Sequence, residues 1–430
     1  MSLLSLKTLS PQIKQYLVIT GNYWAFTLTD GALRMLVVLY FHQLGYPPLS
    51  IAMLFLFYEI FGVITNLIGG WLGARLGLNK TMNIGLALQI IALAMLAVPT
   101  EMLTVIYVMA AQALSGIAKD LNKMSAKSSI KLLVPQSAKN DKNPNIQNSK
   151  PLNSETILYK WIAILTGSKN ALKGVGFFLG GLLLTLLEFK GAVILMAIVL
   201  TIVWLFSLLL LKADLGKAKN KPKFDDIFSK SADINILSAA RMFLFGARDV
   251  WFVVALPVFL AVTFNWDHWW VGSFMASWVI CYGIVQSIAP LITGKSSGNL
   301  PSGKAIFIWA SYLTVIPALI ALSLQFDFYI QTSVIVGLMI FGAVFAVNSS
   351  MHSYLIVSYA GKDGISLDVG FYYMANAMGR LIGTVLSGWI YQEHGLQTCL
   401  WVSTAFLTVA SLLSLKLKNI KENSDIGNST

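Results

Sequence analysis

Charge is what this chain has least of. Only 12% of its 430 residues are Asp, Glu, Lys or Arg, about half the share that a soluble domain carries. A water-soluble enzyme or binding domain of this length is excluded, because there is too little polar surface to dissolve it. Acid is scarcer still, with 19 Asp and Glu against 31 Lys and Arg. The two cysteines, Cys281 and Cys399, lie in apolar runs without CxxC spacing, so neither a disulfide framework nor a thiolate metal site is expected. The four histidines, His42, His268, His352 and His394, make no HExxH pair, and no Ser-His-Asp grouping stands out. Enzymatic activity, a metal and a cofactor are therefore not expected. The first apolar run is long and lacks a small-residue cleavage pattern after it, so no cleavable signal peptide is expected.

Apolar sequence is abundant: 56% of residues are hydrophobic and the mean hydropathy is +0.70. A helix that spans a bilayer takes about 20 mostly apolar residues. Such runs occur near 16–42, 48–73, 82–99, 101–121, 156–187 and 190–211, then near 234–264, 268–293, 304–324, 328–357, 366–391 and 396–415. They are too long and too continuously apolar for the alternating strands of a membrane barrel. The sequence thus predicts an all-α polytopic membrane protein of twelve transmembrane helices in two six-helix bundles. The N-terminal bundle is 1–211 with a flexible Asn-, Lys- and Ser-rich insert at 137–153. A cytoplasmic linker follows at 212–232, then the C-terminal bundle at 233–430.

Charge placement tests the count. Alternating sides puts 24 Lys and Arg, from Lys7 to Lys421, on the side of the termini. The opposite loops hold one, Lys190, beside Glu101, Glu188, Asp267, Asp327 and Glu393. By the positive-inside rule both termini are cytoplasmic. This absorbs most of the formal +12 charge, which in a soluble protein would have suggested nucleic acid. The bilayer, not nucleic acid, is the expected macroscopic partner.

Orientation does not explain the charges within the spans. Arg34, Lys169, Lys173, Arg241, Arg248 and Arg380 are the basic ones, and Asp30, Glu59, Asp249 and Asp368 the acidic. Each would cost roughly 2.5–3.5 kcal/mol facing lipid, so they are expected to face an interior cavity or one another. Asp30 and Arg34 are four apart on one face of the first helix, as are Lys169 and Lys173 on the fifth. Arg241 and Arg248 are two turns apart on the seventh. The fourth ends in AKDLNKMSAKSSIKLL, with Lys119, Lys123, Lys127 and Lys131 at four-residue intervals. Lys119 and Lys123 are expected on a cavity wall; Lys127 and Lys131 stay open between lining the interior and snorkelling to anionic headgroups.

Six basic residues outnumber four acids, so the interior is net positive and calls for a multiply anionic solute. Arg34, Arg241 and Arg248 are expected to bind its oxygens, since a planar guanidinium fork suits phosphate or carboxylate. Lys119 and Lys123 would guide it in, and Lys169, Lys173, Asn348, Tyr372 and Arg380 would add contacts. Asp30, Asp249, Glu59 and Asp368 are ion-pair or proton-coupling candidates, with Asp30 and Asp249 expected to hold the arginines between substrates. His352 is expected to be a hydrogen-bonded core residue. Gly176 and Gly180 in the fifth helix, and Gly379 and Gly383 in the eleventh, form matching small-residue patterns that permit close helix approach.

Two six-helix halves with a long linker resemble the major facilitator superfamily, in which the first, fourth, seventh and tenth helices line the cavity. The superfamily's loop signature after helix 2, Gly-x-Leu-Ala-Asp-Arg-x-Gly-Arg-Lys, is partly present as Gly70-Trp71-Leu72-Gly73-Ala74-Arg75-Leu76-Gly77-Leu78-Asn79-Lys80. Ala74 stands where the signature has Asp, so the usual charge-relay gate at this loop is not expected. Within that fold, GNYWAFTLTDGALRMLVVLYFHQLGY (21–46), MLFLFYEIFGVITNLIGGWLGARLGLNKTMN (53–83), AAQALSGIAKDLNKMSAKSSIKLLVP (110–135), YKWIAILTGSKNALKGVGFFLGGLLL (159–184) and LFGARDVWFVVALPVFL (244–260) resemble the organoarsenical efflux permeases of bacterial arsenic-resistance operons. The resemblance implies alternating-access export of 1-arseno-3-phosphoglycerate across the bacterial inner membrane, conferring arsenate resistance. It also implies a functional partner, a glyceraldehyde-3-phosphate dehydrogenase that makes the substrate without forming a stable complex. No family motif fixes the binding residues, so the expected site rests on the charges. The alternatives are a general organophosphate, anion or drug antiporter of the same fold, and a membrane-embedded hydrolase, for which no nucleophile or metal set is visible.

Overall fold

The computed structural model describes residues 10–46, 54–134, 154–211, 215–219, 223, 230–266, 268–293, 301–361 and 363–417. The N-terminal half comprises α1 (Pro11–Gln43), α2 (Leu56–Leu76), α3 (Leu78–Leu96) and α4 (Val105–Leu133). The helical stretch Ser154–Leu210 is broken at Glu188, whose φ of 57° is non-helical, into α5 (154–187) and α6 (189–210). The C-terminal half begins with α7 (Ala232–Phe252), prolonged by the short helix Ala255–Thr263. It continues with α8 (His268–Ile292), α9 (Gly303–Gln325) and α10 (Ile330–Tyr359). The stretch Ile365–Ser414 is broken at Gly395, φ 74°, into α11 (365–394) and α12 (396–414).

Among the described residues, eight helical stretches are long and apolar enough to cross a bilayer. Two of these are the stretches broken at Glu188 and Gly395, each long enough for two crossings. The charged helices α2 and α4 complete the twelve expected from the apolar runs. Polar caps start several helices: the Thr104, Ser231 and Ser302 hydroxyls accept from Tyr107, Ile234 and Ala305 backbone N–H groups. Large apolar side chains remain on the outer surface, Leu209 82% and Leu291 72% exposed, as a lipid solvent permits and water does not.

Three buried clusters order the interior. One belongs to the N-terminal half (Phe26, Leu33, Leu36, Leu93, Val193), and one to the C-terminal half (Leu244, Trp251, Trp278, Phe341, Phe345). The third is shared, joining Tyr23, Met82, Met124 and Ile130 to Met351, Tyr354, Ile365 and Tyr372. Many of its members lie toward the linker end of their helices, where the halves are fused into one core.

Small residues set the seams. A methyl at Gly180 would collide with the Ala32 carbonyl of α1, and one at Gly379 with the Met242 carbonyl of α7, so the two patterns perform the same packing in each half. Between the halves, Gly70 of α2 abuts Ser366 and Gly370 of α11, and Gly167 of α5 abuts Gly283 and Ser287 of α8. The Ser366 hydroxyl donates to the Gly70 carbonyl at 2.7 Å.

Two features of the linker end bear on function. α4 runs twelve residues past its apolar stretch, which ends near 121, and carries the lysine ladder as helix to Leu133; Lys123, Lys127, Ser129 and Lys131 there have hydrogen-bond partners within the protein. The linker docks on the turn that carries the partial loop signature: Leu78 N–H donates to the Leu215 carbonyl, and Ala218 N–H to the Ala74 carbonyl, both at 2.8 Å. Lys219 N–H reaches Asp363 of the other half at 3.0 Å. The 137–153 insert lies outside the described residues.

Candidate functional site

The interior charges form two sets. The first is a ladder across the seam. Arg34 (α1) and Arg380 (α11) each place an Nη2 3.1 Å from the same oxygen, Oε1 of Glu59 (α2). Arg380 Nε then donates to Asp249 Oδ2 at 3.1 Å, and Asp249 Oδ1 receives Arg248 through Nε at 2.6 Å and Nη2 at 2.5 Å. Arg34 also lies over the Tyr58 ring, 4.7 Å from its centroid. The Arg34, Glu59 and Arg380 side chains keep 26%, 23% and 27% of their surface exposed, so the middle of the ladder borders open space and a solute can reach it.

Two local knots flank the ladder. Asp30 accepts from the Tyr58 hydroxyl at 2.7 Å and lies 3.6 Å from Lys173 Nζ. Asp120, fully buried, holds Lys123 at 2.5 Å and Lys119 at 3.8 Å. The expected Asp30–Arg34 pairing is therefore not the one formed. Asp30 turns to α5 and Lys173, where Gly31 brings the backbones of α1 and α5 together, and Glu59 takes Arg34. Asp249 does hold arginines, as expected, and Arg380 is one of them.

The second set has no acid. Arg241, 3% exposed, donates through Nε to Asn376 Oδ1 at 3.0 Å and through Nη1 to the Ser349 hydroxyl at 3.0 Å and its carbonyl at 3.2 Å. Its guanidinium lies 3.9 Å from the Phe245 ring centroid and 5.4 Å from that of Tyr372. Lys127, also 3% exposed, donates to the Tyr373 hydroxyl. Lys169 donates to Asn170 Oδ1 at 3.2 Å. Neutral groups connect these cations across the seam: Asn170 donates to Gln286 at 2.5 Å, and Gln286 lies 3.1 Å from the Ser349 hydroxyl that Arg241 also reaches. None of the three has a carboxylate within ion-pairing distance among the described residues, and Lys127 lies within electrostatic reach of both Arg241 and Lys169.

Polar groups without partners collect beside this set. Asn348, fully buried on α10, has neither amide atom hydrogen-bonded among the described residues, and His352 Nδ1 is likewise unpaired. His352 is thus a core residue as expected, but one nitrogen short of the hydrogen bonding expected of it. A buried polar group is costly to leave unpaired, by about 1–3 kcal/mol, so these atoms mark the polar part of this apolar half.

The structure thus brings Arg34, Glu59, Arg248, Asp249 and Arg380 into one constellation, and Arg241, Lys169, Asn348 and Tyr372 into another. Lys119, Lys123, Lys173 and Asp30 lie in the flanking knots. Asp368 belongs to neither: it sits in the first turn of α11, 3.4 Å from Lys230, roughly 18 Å along the helix from Arg380. Lys127 and Lys131 do not reach outward to headgroups. Lys127 is buried against Tyr373, and Lys131 donates to the Ser358 carbonyl at 2.8 Å and the Ala360 carbonyl at 2.5 Å, closing α4 onto α10. Sequence reasoning missed Tyr58, Asp120 as a clamp, Asn170 and Gln286. Gln286, an amide within an otherwise apolar span, was the available signal.

Among the described residues, twelve long helices in two halves meet along a seam lined by cations, an architecture of secondary transporters. The model of the Major Facilitator Superfamily matches residues 19–364, and the chain belongs to that superfamily. A search of curated proteins gives no sequence match. Among solved structures, the human organic anion transporter MFSD10 (TETRAN) superposes with a TM-score of 0.72 at 14% identity, covering 94% of this chain and 100% of its own. A bacterial homologue of the iron transporter ferroportin, outward-facing, gives 0.72 at 12% identity over 95% and 99%. FucP, the E. coli fucose:proton symporter, gives 0.73 in its outward conformation at 11% identity over 96% and 100%. At these identities the likeness is one of fold.

Proposed function

We propose that this membrane carrier exports a polyanionic organic solute by alternating access, and that the solute is 1-arseno-3-phosphoglycerate. The observation that carries the anion reading is the set of Arg241 and Lys127, both buried, with the half-buried Lys169: three cations on both sides of the seam with no carboxylate at ion-pairing distance among the described residues. Fixed charge of one sign in a low-dielectric site attracts its opposite strongly, and a tetrahedral oxyanion offers these donors the charged acceptors that their neutral partners do not. Lipophilic cationic drugs fit such a site poorly, which disfavours a broad drug antiporter. A like-folded human protein described as an organic anion transporter is consistent with the solute class. The arsenical identity rests on the resemblance of the stretches at 21–46, 53–83, 110–135, 159–184 and 244–260 to organoarsenical permeases.

In this proposal both termini face the cytoplasm, the linker end is the inner gate, and the halves rock about the seam. Hydrogen bonds that pair a charged with an uncharged group cross the halves there: Lys131 to the Ser358 and Ala360 carbonyls, Lys127 to the Tyr373 hydroxyl, and the Tyr354 hydroxyl donating to Glu155 at 2.9 Å. Uptake of synthesised 1-arseno-3-phosphoglycerate into everted vesicles is the test. Uptake that ordinary 3-phosphoglycerate competes poorly supports the arsenical carrier. Equal competition supports a general organophosphate antiporter, and no uptake of either anion overturns the reading.

A further inference from the structure

Glu59 occupies an unusual position. One oxygen of its carboxylate is the meeting point of two guanidiniums from opposite halves, Arg34 and Arg380, each at 3.1 Å. Within the ladder, Arg34 and Glu59 belong to the N-terminal half and Arg380, Asp249 and Arg248 to the C-terminal half. The ladder therefore crosses the seam through this single carboxylate. Three guanidiniums and two carboxylates leave it one positive charge in excess. Arg34 Nε is buried with no acceptor among the described residues, so the arginine pair has donor capacity that Glu59 does not fill.

We propose that Glu59 is an internal stand-in for substrate: its carboxylate occupies the Arg34–Arg380 oxyanion site, and a solute bearing two anionic groups displaces it and unlatches the halves. This rests on the anion reading above and deepens it, because it specifies a two-headed solute. One head is held by Arg241 and Lys127. The other takes the place of Glu59 at the level of Arg248 and Arg380, roughly 10 Å away along α7 from the spacing of Arg241 and Arg248. A solute with one anionic head fills the deep set and leaves the latch shut.

Three further observations suit this role. The side chains at the meeting point are each about a quarter exposed, which a displaceable contact requires and a buried structural pair does not. An incoming phosphate, arsenate ester or carboxylate presents two or three acceptor oxygens to the two arginine forks and the idle Nε, where Glu59 uses one oxygen. Glu59 also has somewhere to go: Lys119 and Lys173 lie within electrostatic reach of it, and Lys119 Nζ already sits 3.8 Å from the Tyr58 ring centroid, on the residue beside Glu59.

The experiment uses the purified full chain in nanodiscs, with 3-phosphoglycerate as a two-headed probe and inorganic phosphate as a one-headed one, binding followed by calorimetry. Removing the stand-in with Glu59→Gln, nearly isosteric, is expected to tighten 3-phosphoglycerate by about ten-fold or more and to steepen its salt dependence, with inorganic phosphate changed much less. Arg380→Gln is expected to weaken 3-phosphoglycerate by a comparable factor. Glu59→Asp, which keeps the charge but shortens the reach, falls between wild type and Glu59→Gln and controls for misfolding. Unchanged or weaker 3-phosphoglycerate binding in a folded Glu59→Gln protein overturns the stand-in and leaves the anion reading intact. If neither protein binds 3-phosphoglycerate, the stand-in falls, and the anion reading is decided separately by the vesicle uptake of 1-arseno-3-phosphoglycerate.

Discussion

Lys127 of α4 donates to the hydroxyl of Tyr373 on α11, across the seam between the halves, with no carboxylate beside it among the described residues. A buried ammonium whose partner is a neutral phenol is poorly compensated, since burying a charge costs several kcal/mol unless an opposite charge repays it. Such an arrangement spends stability on something other than folding.

Replacing Lys127 with Met keeps the stem's volume and removes the charge. The variant is expected to fold and to melt at or above the wild-type temperature, a gain of about 1–2 kcal/mol at most, while anion uptake falls at least ten-fold. Thermal unfolding and vesicle uptake, measured on one preparation, check it. A variant that loses stability and keeps transport would show that Lys127 serves the fold.

Asp120 presents the opposite case. Its carboxylate is the common partner of Lys119 and Lys123, so Asp120→Asn leaves two largely buried ammonium groups without their counter-charge. A loss of about 3–5 kcal/mol is expected, seen as a large drop in melting temperature. The double variant Asp120→Asn with Lys123→Met recovers part of it.

Arg241 separates charge from geometry. Arg241→Lys keeps the positive charge but cannot reach Asn376 and Ser349 together, because a lysine has no fork. Uptake is expected to fall by ten-fold or more with little change in melting temperature. Asp368→Asn, at the linker end and paired with Lys230, leaves uptake within about two-fold, and the contrast distinguishes the seam from the gate periphery.

Gly283 tests the closed end. A methyl there runs into the backbone of Ala171 on α5, which cannot swing aside as a side chain can. Gly283→Ala is expected to prise α5 from α8 and lower the population closed at the linker end, read as a longer α5–α8 spin-label distance. Gly181→Ala meets only Leu39 Cδ1 at 3.6 Å and is expected to change nothing.

Much of this was legible in the chain. Period and length of the apolar runs gave the twelve helices, and the breaks at Glu188 and Gly395 fall at expected loops. The interior charges were found by subtracting loop residues, since a charge in an apolar run is costly wherever it points. Their partners were not legible. Arg34 sits four residues from Asp30, which is the right spacing for a pair on one helix. Yet the short approach of α1 to α5 at Gly31 gives Asp30 to Lys173, and Glu59 arrives from another helix altogether. Nor did sequence show where Lys127 and Lys131 at the end of α4 point, because a Lys- and Ser-rich helix end reads equally as cavity wall or as interface until the other half of the molecule is laid against it.

The sequence by itself determined that the protein is an all-helical membrane protein with a net positive interior, because hydrophobic length and the expense of intramembrane charge are local properties. Only the tertiary structure decided which cations are neutralised and which are left over. Ion pairing depends on distances of 3 to 4 Å between helices far apart in the chain. That sorting makes Arg34, Arg248 and Arg380 rungs of a ladder, and leaves Arg241, Lys127 and Lys169 with no carboxylate at ion-pairing distance among the described residues.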